Sequence, residues 1–381
     1  MSDNSDESDS REICKYGSLC YQKNPKHLSK FRHPFKTATM KNNDNETNND
    51  KPKNKKAKCE GHKANEEDST CTNKIESDNE IHQNIREKFL INMPNDFYDF
   101  WNFCKDLNST KPLNALQDIG LMLVGPYDVL AGKFNDVNLS SDEYLIHWRY
   151  FYDPPEFLTV LADTRTGFHI GYFRDDPYSD EHIVASNNGK DCELVALGDN
   201  IFTALKSYVD KRLKTCDPFS KPKVQKFQKL FLSKYEGDSN CQNAVKKRQK
   251  KIVCKTFHKL GLVVPFDRKT EVGYRDLIEN DATLKKKLKI FLDSDIQDLN
   301  VAMSSIQPII MAVNLATDEC DFGTAIEFGI DLFCNGSKHL HNLALLFLRT
   351  GYNLVHRKEF IKIIEAHLKN RRIGNNLSIF Q

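Results

Sequence analysis

The stretch FLTVLADTRTGFHIGYF at residues 157–173 decides the fold of the main part of the chain. It is rich in branched and aromatic residues, and TRTG (164–167) within it is typical of a tight turn between two strands. SNNGKD (186–191) has the same turn chemistry, and GLMLVGPYDVLAG (120–132) and EYLIHWRYFYD (143–153) have a similar strand-like composition. Strands joined by short turns pair antiparallel, so we predict a largely antiparallel sheet.

Helical periodicity surrounds this sheet. In PNDFYDFWNFCKDLN (94–108) the apolar residues recur at spacings of three and four, and GDNIFTALKSYVDKRL (198–213) predicts a helix beginning near Asp199. From about Lys221 the chain is mostly helical, and KEFIKIIEAHLKN (358–370) places its apolar residues on one face. We predict the α+β class, with an antiparallel-sheet lobe followed by a mostly helical lobe.

Composition divides the rest of the chain. Between Lys36 and Glu80 there is no aromatic residue and no Leu or Val, so this segment cannot bury enough apolar surface to offset its ordering entropy. Five lysines at 51–58 within it indicate either a solvated charge run or a nuclear import signal. The predicted boundaries are a disordered start (1–10), a zinc finger (11–35), a disordered linker (36–84), a sheet lobe (85–220), a helical lobe (221–372) and a tail (373–381).

Charge and hydropathy exclude several classes of protein. Lys plus Arg number 55 against 53 Asp plus Glu, so no global basic field attracts nucleic acid, and we expect no sequence-specific DNA binding. No apolar run approaches 18 residues and the first residues are polar, so we expect neither a membrane span nor a signal peptide. The eleven cysteines contain no CxxC pair, which indicates reduced thiols together with those that bind a metal.

The segment REICKYGSLCYQKNPKHLSKFRHPF (11–35) supplies two cysteines and two histidines. Cys14, Cys20, His27 and His33 are separated by five, six and five residues, and two thiolates with two imidazoles form a closed tetrahedral site that zinc prefers. A segment this short has no core, so one structural zinc ion would supply its folding free energy. The spacing differs from that of the DNA-reading finger, whose cysteines lie two to four residues apart.

This segment resembles the poly(ADP-ribose)-binding zinc finger in its ligands, its aromatic residues, its Asn-Pro turn and its final His-Pro. The resemblance implies that Tyr16 and Tyr21 stack on or flank an adenine of ADP-ribose. The family usually has Arg after the Cys-Tyr pair, where this chain has Gln22. Loss of a guanidinium that can stack on adenine and contact phosphate should weaken polymer binding.

The body resembles the histone PARylation factor family, the accessory proteins of the DNA-damage poly(ADP-ribose) polymerases. The blocks that support this resemblance, in chain order, are DFYDFW (96–101), GLMLVGPYDVLAGKF (120–134), HWRYFYDPPEF (147–157), GYFRDDP (171–177), VGYR (272–275), DECDFG with GIDLFC (318–334) and IIEAHL (363–368). The resemblance implies an accessory factor that is not an enzyme alone. It would dock on the polymerase catalytic domain, which holds NAD, and complete a joint active site that modifies serine.

The same resemblance implies roles for four residues. Glu319 and Asp318 match the positions of the contributed carboxylate, and Tyr274 and Arg275 match the docking surface. Consecutive side chains on a helix diverge by about 100°, so we expect different roles, with Glu319 as the base and Asp318 as an electrostatic contact with the partner. The chemistry agrees, because serine is a poor nucleophile at neutral pH and needs a base such as Glu319 to remove its proton. Without the resemblance, DECD would be interpreted as a carboxylate cluster at a helix start.

Three functions compete at this point. The first is the accessory factor, with histones as substrates and partners and a nuclear location on chromatin at DNA damage sites. The second is a poly(ADP-ribose) reader that tethers other repair proteins and needs no catalytic residue. The third is a free-standing hydrolase using Asp318 and Glu319, which no nucleophile–base arrangement in the sequence supports.

Overall fold

The computed structural model describes residues 12–13, 30–32, 68–235, 243–292 and 299–380, with backbone only at 12–13, 32 and 68–78. The chain forms two compact units, Met1–Ala64 and Asn65–Gln381. In the first unit, strand β1 (Glu12–Ile13) pairs parallel with strand β2 (Phe31–Arg32). The predicted disordered start and most of the predicted linker lie outside the described residues.

The second unit contains helices and strands in alternating groups. The helices are α1 (Asp68–Phe89), α2 (Asn95–Leu107), α3 (Tyr127–Leu130), α4 (Ser141–Ile146), α5 (Ile201–Thr215), α6 (Lys221–Lys234), α7 (Asn243–Gln249), α8 (Asp281–Lys289), α9 (Leu299–Asp318), α10 (Phe322–Asn335), α11 (His341–Leu354) and α12 (Lys358–Lys369). The strands are β3 (Met122–Leu123), β4 (Phe157–Ala162), β5 (His169–Phe173), β6 (Ile183–Asn187) and β7 (Val195–Gly198).

The predicted antiparallel sheet is confirmed. Strands β3 to β7 are hydrogen-bonded in chain order, each antiparallel to the next, with Leu158 opposite Tyr172 and Ile170 opposite Ser186. The turn after β4 closes with the amide of Gly167 donating to the carbonyl of Asp163 at 2.9 Å. Strands β4, β5 and β6 are buried along their whole length. Both faces of the sheet are therefore covered, which explains why apolar residues in these strands run on instead of alternating with polar ones.

The prediction of a strand in 143–153 is wrong, because residues 141–146 form α4. Ser140 caps this helix: its hydroxyl accepts from the amide of Glu143 at 3.4 Å, and the Glu143 carboxylate accepts from the amide of Ser140 at 2.8 Å. This reciprocal pair satisfies two backbone donors at the helix start and outweighs the strand-like composition of the residues that follow.

Two segments differ from the predicted boundaries. Helix α1 begins at Asp68, inside the segment assigned to the linker, and buries Ile85 and Phe89 against the sheet half of the unit. The segment assigned to a C-terminal tail packs against the body, where Leu377 is buried and its carbonyl accepts from the amide of Trp148 at 3.1 Å. A few apolar residues near each end of the body are thus buried as part of its core.

The predicted helical half is confirmed, and α10 forms its centre. Every residue of α10 from Gly323 to Cys334 is buried, as expected of a helix surrounded by others. Helices α9, α11 and α12 bury their apolar faces in the same cluster. Two acidic side chains, Glu327 and Asp331, lie within this buried helix.

Helix α9 qualifies the expectation about membranes. By length and composition, α9 is long and apolar enough to cross a membrane. It is packed on one side through Ile306, Ile309 and Val313, and exposes Met311 and Leu315 on the other. A single helix of this kind is weak evidence for a membrane span, since core helices share its length and composition.

Candidate functional site

The carboxylate pair singled out by the sequence lies in the turn between α9 and α10. Asp318 is the exposed last residue of α9, and Glu319 and Cys320 form the turn before Asp321. Cys320 has a positive φ of 73°, which is in the left-handed region and lies in the turn between the two helices. The side chain of Glu319 is 50% exposed. DECD therefore spans a helix end, a turn and the next helix start, and its two consecutive carboxylates do not lie within one helix.

The segment VGYR (272–275) crosses the beginning of α10. The amide of Gly273 donates to Asp321 Oδ1 at 3.0 Å, and the carbonyl of Gly273 accepts from the amide of Gly323 at 2.9 Å. Gly273 has a φ of 114°, and a Cβ there would lie 2.2 Å from the carbonyl oxygen of Pro265. Only glycine fits this position, which brings the two sequence blocks together.

Arg275 is fixed at both its backbone and its side chain. Its amide donates to Thr324 Oγ1 at 3.0 Å, and the Thr324 hydroxyl donates to the carbonyl of Arg275 at 2.7 Å. Its guanidinium bonds to the carboxylate of Glu319 and lies 3.0 Å from Asp321 Oδ2. The hydrogen bond to Glu319, with the nearby charge of Asp321, raises the pKa of Arg275. Half of the Arg275 side chain remains exposed, so Glu319 and Arg275 form an adjacent acid–base pair at the surface.

Tyr274, which we predict to be a docking residue, is 8% exposed in the free chain. Its hydroxyl lies 3.0 Å from Asp276 Oδ1 and 3.0 Å from Glu327 Oε2. Burial raises the pKa of Tyr274, so the hydroxyl keeps its proton. In the free chain this side chain holds the VGYR segment on α10 and presents its neighbour Arg275 at the surface.

Glu327 is buried on α10 beneath Tyr274. Burial, as the largest cause, raises the pKa of Glu327 to about 7. The Tyr274 hydroxyl has one proton to donate but contacts two carboxylates, so a protonated Glu327 can donate to it while it donates to Asp276. The packing of VGYR is thus coupled to the protonation of a buried acid.

Sequence reasoning missed Asp321, Thr324 and Glu327. Asp321 could have been found, since an Asp directly before an apolar helical run indicates a helix N-cap. Its buried side chain binds Gly273 and Arg275 instead of the helix amides. Nothing in the local pattern of α10 distinguishes Thr324 and Glu327 from other helix residues, because their roles depend on a segment about 50 residues earlier.

The predicted zinc ligands Cys14, Cys20, His27 and His33 lie outside the described residues, as do Tyr16 and Tyr21. The donor set of two thiolates and two imidazoles suits zinc chemically. Within the described residues, no group of three or more His, Cys, Asp or Glu side chains could hold a metal ion.

The Glu319–Arg275 pair lines neither of two cavities found among the described residues. A cavity of about 420 Å³ lies between the β5–β6 connection and α7, and one of about 450 Å³ lies near Trp101 and Pro112. Neither is lined by Asp318, Glu319 or Arg275. Glu319 is thus a half-exposed carboxylate that lies outside both of these cavities.

Comparisons with known proteins assign both parts of the chain. A family model described as Histone PARylation factor 1 matches residues 80–371, and one described as PBZ domain matches residues 11–36. Histone PARylation factor 1 of Bos taurus is 42% identical over 303 residues, which cover 77% of this chain and 87% of the bovine protein. The Mus musculus protein of that name is 43% identical over 310 residues, covering 78% and 88%. The Danio rerio protein is 38% identical over 309 residues, covering 78% and 87%. The chain belongs to the histone PARylation factor 1 family.

Proposed function

We propose that this chain is an accessory factor for DNA-damage poly(ADP-ribose) polymerases, and that it directs ADP-ribosylation to serine on histones and other chromatin proteins. It docks on the catalytic domain of the polymerase, which holds NAD, and the two proteins form one active site. The observation that carries this proposal is the placement of Glu319, a half-exposed carboxylate at the surface beside Arg275. A surface carboxylate becomes enclosed only when a partner covers it.

In this active site Glu319 is the general base. Its carboxylate accepts the proton of the serine hydroxyl as the serine oxygen attacks the ribose carbon and the bond to nicotinamide breaks. Serine gains most from such help, because its hydroxyl is scarcely ionised at neutral pH. A substrate carboxylate is already ionised and needs no base.

Arg275 is a positioning and docking residue. Its backbone is fixed by Thr324 and its guanidinium orients Glu319, while its exposed half is free to contact the partner. Asp318, exposed at the end of α9, contributes an electrostatic contact with the polymerase. Tyr274 supports docking from beneath the surface, through its bonds to Asp276 and Glu327.

The N-terminal finger is the polymer-binding part of the same protein. Cys14, Cys20, His27 and His33 would hold one zinc ion, which would supply folding free energy to a segment without a core. Tyr16 and Tyr21 bind adenine of poly(ADP-ribose), and the protein acts in the nucleus on damaged chromatin. The match to a PBZ domain at 11–36 also favours a second candidate function, a poly(ADP-ribose) reader that tethers repair proteins without catalysis.

A reconstitution separates these functions. Polymerase, NAD and histones are combined with and without the full chain, and the modified residues are located by peptide mass spectrometry. The accessory factor predicts serine modification only when the chain is present. A reader predicts the same modified residues in both reactions. A free-standing hydrolase predicts turnover of NAD or polymer by the chain without polymerase.

A further inference from the structure

Positive charge is concentrated on helices α5 and α6 and the turn that joins them, here called the α5–α6 hairpin (residues 201–235). The hairpin contains nine Lys and Arg residues against two Asp, a net charge of +7, whereas the whole chain has a net charge of +2. The rest of the chain is therefore net negative. The near-neutral total charge thus conceals a local positive surface.

The two helices of the hairpin run in opposite directions and are linked along their length. Phe202, at the start of α5, stacks on Tyr235, just past the end of α6, with ring centroids 4.9 Å apart. Between these ends and the turn, Gln228 Nε2 donates to Asp210 Oδ1 at 2.8 Å. The end of α5 and the beginning of α6 therefore meet at the turn, and the lysines of both helices belong to one surface.

Lysines occupy the solvent-facing sides of both helices. Helix α6 buries an apolar side that includes Val224, and Lys226 and Lys229 are exposed on the opposite side, three residues apart. On α5, Lys211 and Lys214 are exposed with the same spacing. We call these four residues the outward lysines.

The outward lysines are not paired with acidic side chains of the described residues. The one ion pair made by a hairpin lysine within those residues joins Lys234 to Asp106 at 3.9 Å. Asp217, in the turn, accepts instead from the backbone amides of residues 219 and 220 at 3.0 and 2.9 Å. Unpaired ammonium groups repel one another, and a bound polyanion would relieve this repulsion and release its own counterions.

The turn of the hairpin also presents an aromatic ring to solvent. Phe219 is 92% exposed, and it lies five residues after Lys214 and two before Lys221. A single exposed apolar side chain is common, but an exposed ring beside a row of cations has a specific use. Proteins bind single strands of nucleic acid in this way, with cations on the phosphates and an aromatic ring stacked on a base.

We propose that the α5–α6 hairpin binds single-stranded nucleic acid without sequence preference, through the outward lysines and Phe219. This proposal does not depend on the proposed function. The lysines fit any phosphate backbone, and Phe219 selects the single strand, because the bases of a duplex are stacked on one another and offer no free face to a ring. Poly(ADP-ribose) shares the phosphates and the adenine, so it is a competing ligand in the test.

The test measures the affinity of the zinc-saturated full chain by fluorescence anisotropy at a series of salt concentrations. The probe is a labelled DNA strand of mixed sequence and about 20 nucleotides, enough to span a site of usual size. Each lost phosphate contact lowers the slope of log affinity against log salt by about 0.7 for a single strand. The double variant Lys226→Gln with Lys229→Gln should therefore weaken binding and lower this slope by about 1.4.

Phe219→Ala should weaken binding of the strand about 5- to 150-fold, the contribution of one stacked base, and leave the salt slope unchanged. Phe219→Trp should bind the strand at least as well as the unchanged chain, because it keeps a stacking ring. The Phe219 ring is almost fully exposed, so neither change should alter the melting temperature.

The matched control is the double variant Lys286→Gln with Lys289→Gln, because these lysines are also exposed and three residues apart on a helix, α8. It should leave the affinity and the salt slope unchanged. The proposal is overturned if this control weakens binding as much as the hairpin variant, or if Phe219→Ala binds the strand normally. It is also overturned if Phe219→Ala weakens binding of a duplex of the same sequence or of poly(ADP-ribose) as much as binding of the strand.

Discussion

Replacing Glu327 by Gln tests whether a buried, protonated acid supports the VGYR segment. Glu327 is 5% exposed, and burial raises its pKa from 4.5 to about 7. The folded state thus binds a proton that the unfolded state releases between these two values. Below pH 4.5 both states are protonated and the stabilising effect of the proton is fully present. This stabilising effect is lost as the pH rises to about 7. At about 1.4 kcal/mol per pKa unit, the free energy of unfolding falls by about 3 kcal/mol in total.

Gln has nearly the shape of the protonated acid, can still hydrogen-bond to Tyr274, and does not titrate. We therefore expect the free energy of unfolding of Glu327→Gln, relative to the unchanged chain, to increase by about 3 kcal/mol between pH 4.5 and pH 8. Urea unfolding at a series of pH values, followed by the fluorescence of the buried Trp101 and Trp148, measures this difference. Asp331, whose pKa is raised by burial and in part by the charge of Glu327, is present in both proteins, so the difference between them reports Glu327 together with its coupling to Asp331.

Glu365→Gln is the matched control, because Glu365 is a partly exposed carboxylate that forms a surface pair with Arg349 at 3.5 Å. Its relative stability should change by less than about 0.5 kcal/mol over the same range, as for surface ion pairs in general. The reasoning is refuted if Glu327→Gln shows no greater pH dependence than this control, or if it becomes relatively less stable as the pH rises.

Three further predictions concern docking and the finger. Arg275→Ala should weaken polymerase binding about 30-fold or more while lowering the melting temperature by no more than about 3 °C, since the Arg275 side chain is half exposed and the buried Asp321 keeps its hydrogen bond from the amide of Gly273. Calorimetric titration and thermal unfolding measure these two effects, with the exposed Arg268→Ala as control. A destabilised protein that still binds would contradict this prediction. Cys14→Ser or His33→Ala should unfold the finger and leave the body folded, so persistence of the finger's NMR dispersion after chelation of zinc would disprove the zinc site. Tyr16→Ala should abolish poly(ADP-ribose) binding and Gln22→Arg should strengthen it, and unchanged affinity in both variants would remove the finger from polymer recognition.

Elements with strong local patterns could be predicted from the sequence. The helix at Asn95–Leu107 and the helix at Lys358–Lys369 follow the apolar spacing closely, and the β4–β5 hairpin follows its turn residues. Short elements could not, because α4 depends on a capping pair and β3 has only two residues. Both α4 and β3 lie in segments of strand-like composition, and composition alone does not show where a helix is capped or where a strand ends.

The candidate site shows the same division. Family resemblance pointed to Arg275 and Glu319 but could not show that their side chains touch. Their contact forms because Gly273 lets the VGYR segment cross the beginning of α10. Tyr274 matched a docking residue by position, whereas the structure buries its ring. Burial, and with it the raised pKa of Glu327, comes from the packing of distant segments and has no local signature.

The most direct measurement is the effect of Glu319→Gln on serine modification and on polymerase binding, determined on the same protein preparation. Gln keeps the size of the side chain and can still accept a hydrogen bond from Arg275, but it cannot accept the proton of serine. We expect binding and the modification of acidic residues to persist, and serine modification to fall by roughly 100–10,000-fold, the usual contribution of general-base catalysis. Glu365→Gln should leave both measurements unchanged. Normal serine modification by Glu319→Gln at normal binding would contradict the catalytic role of Glu319.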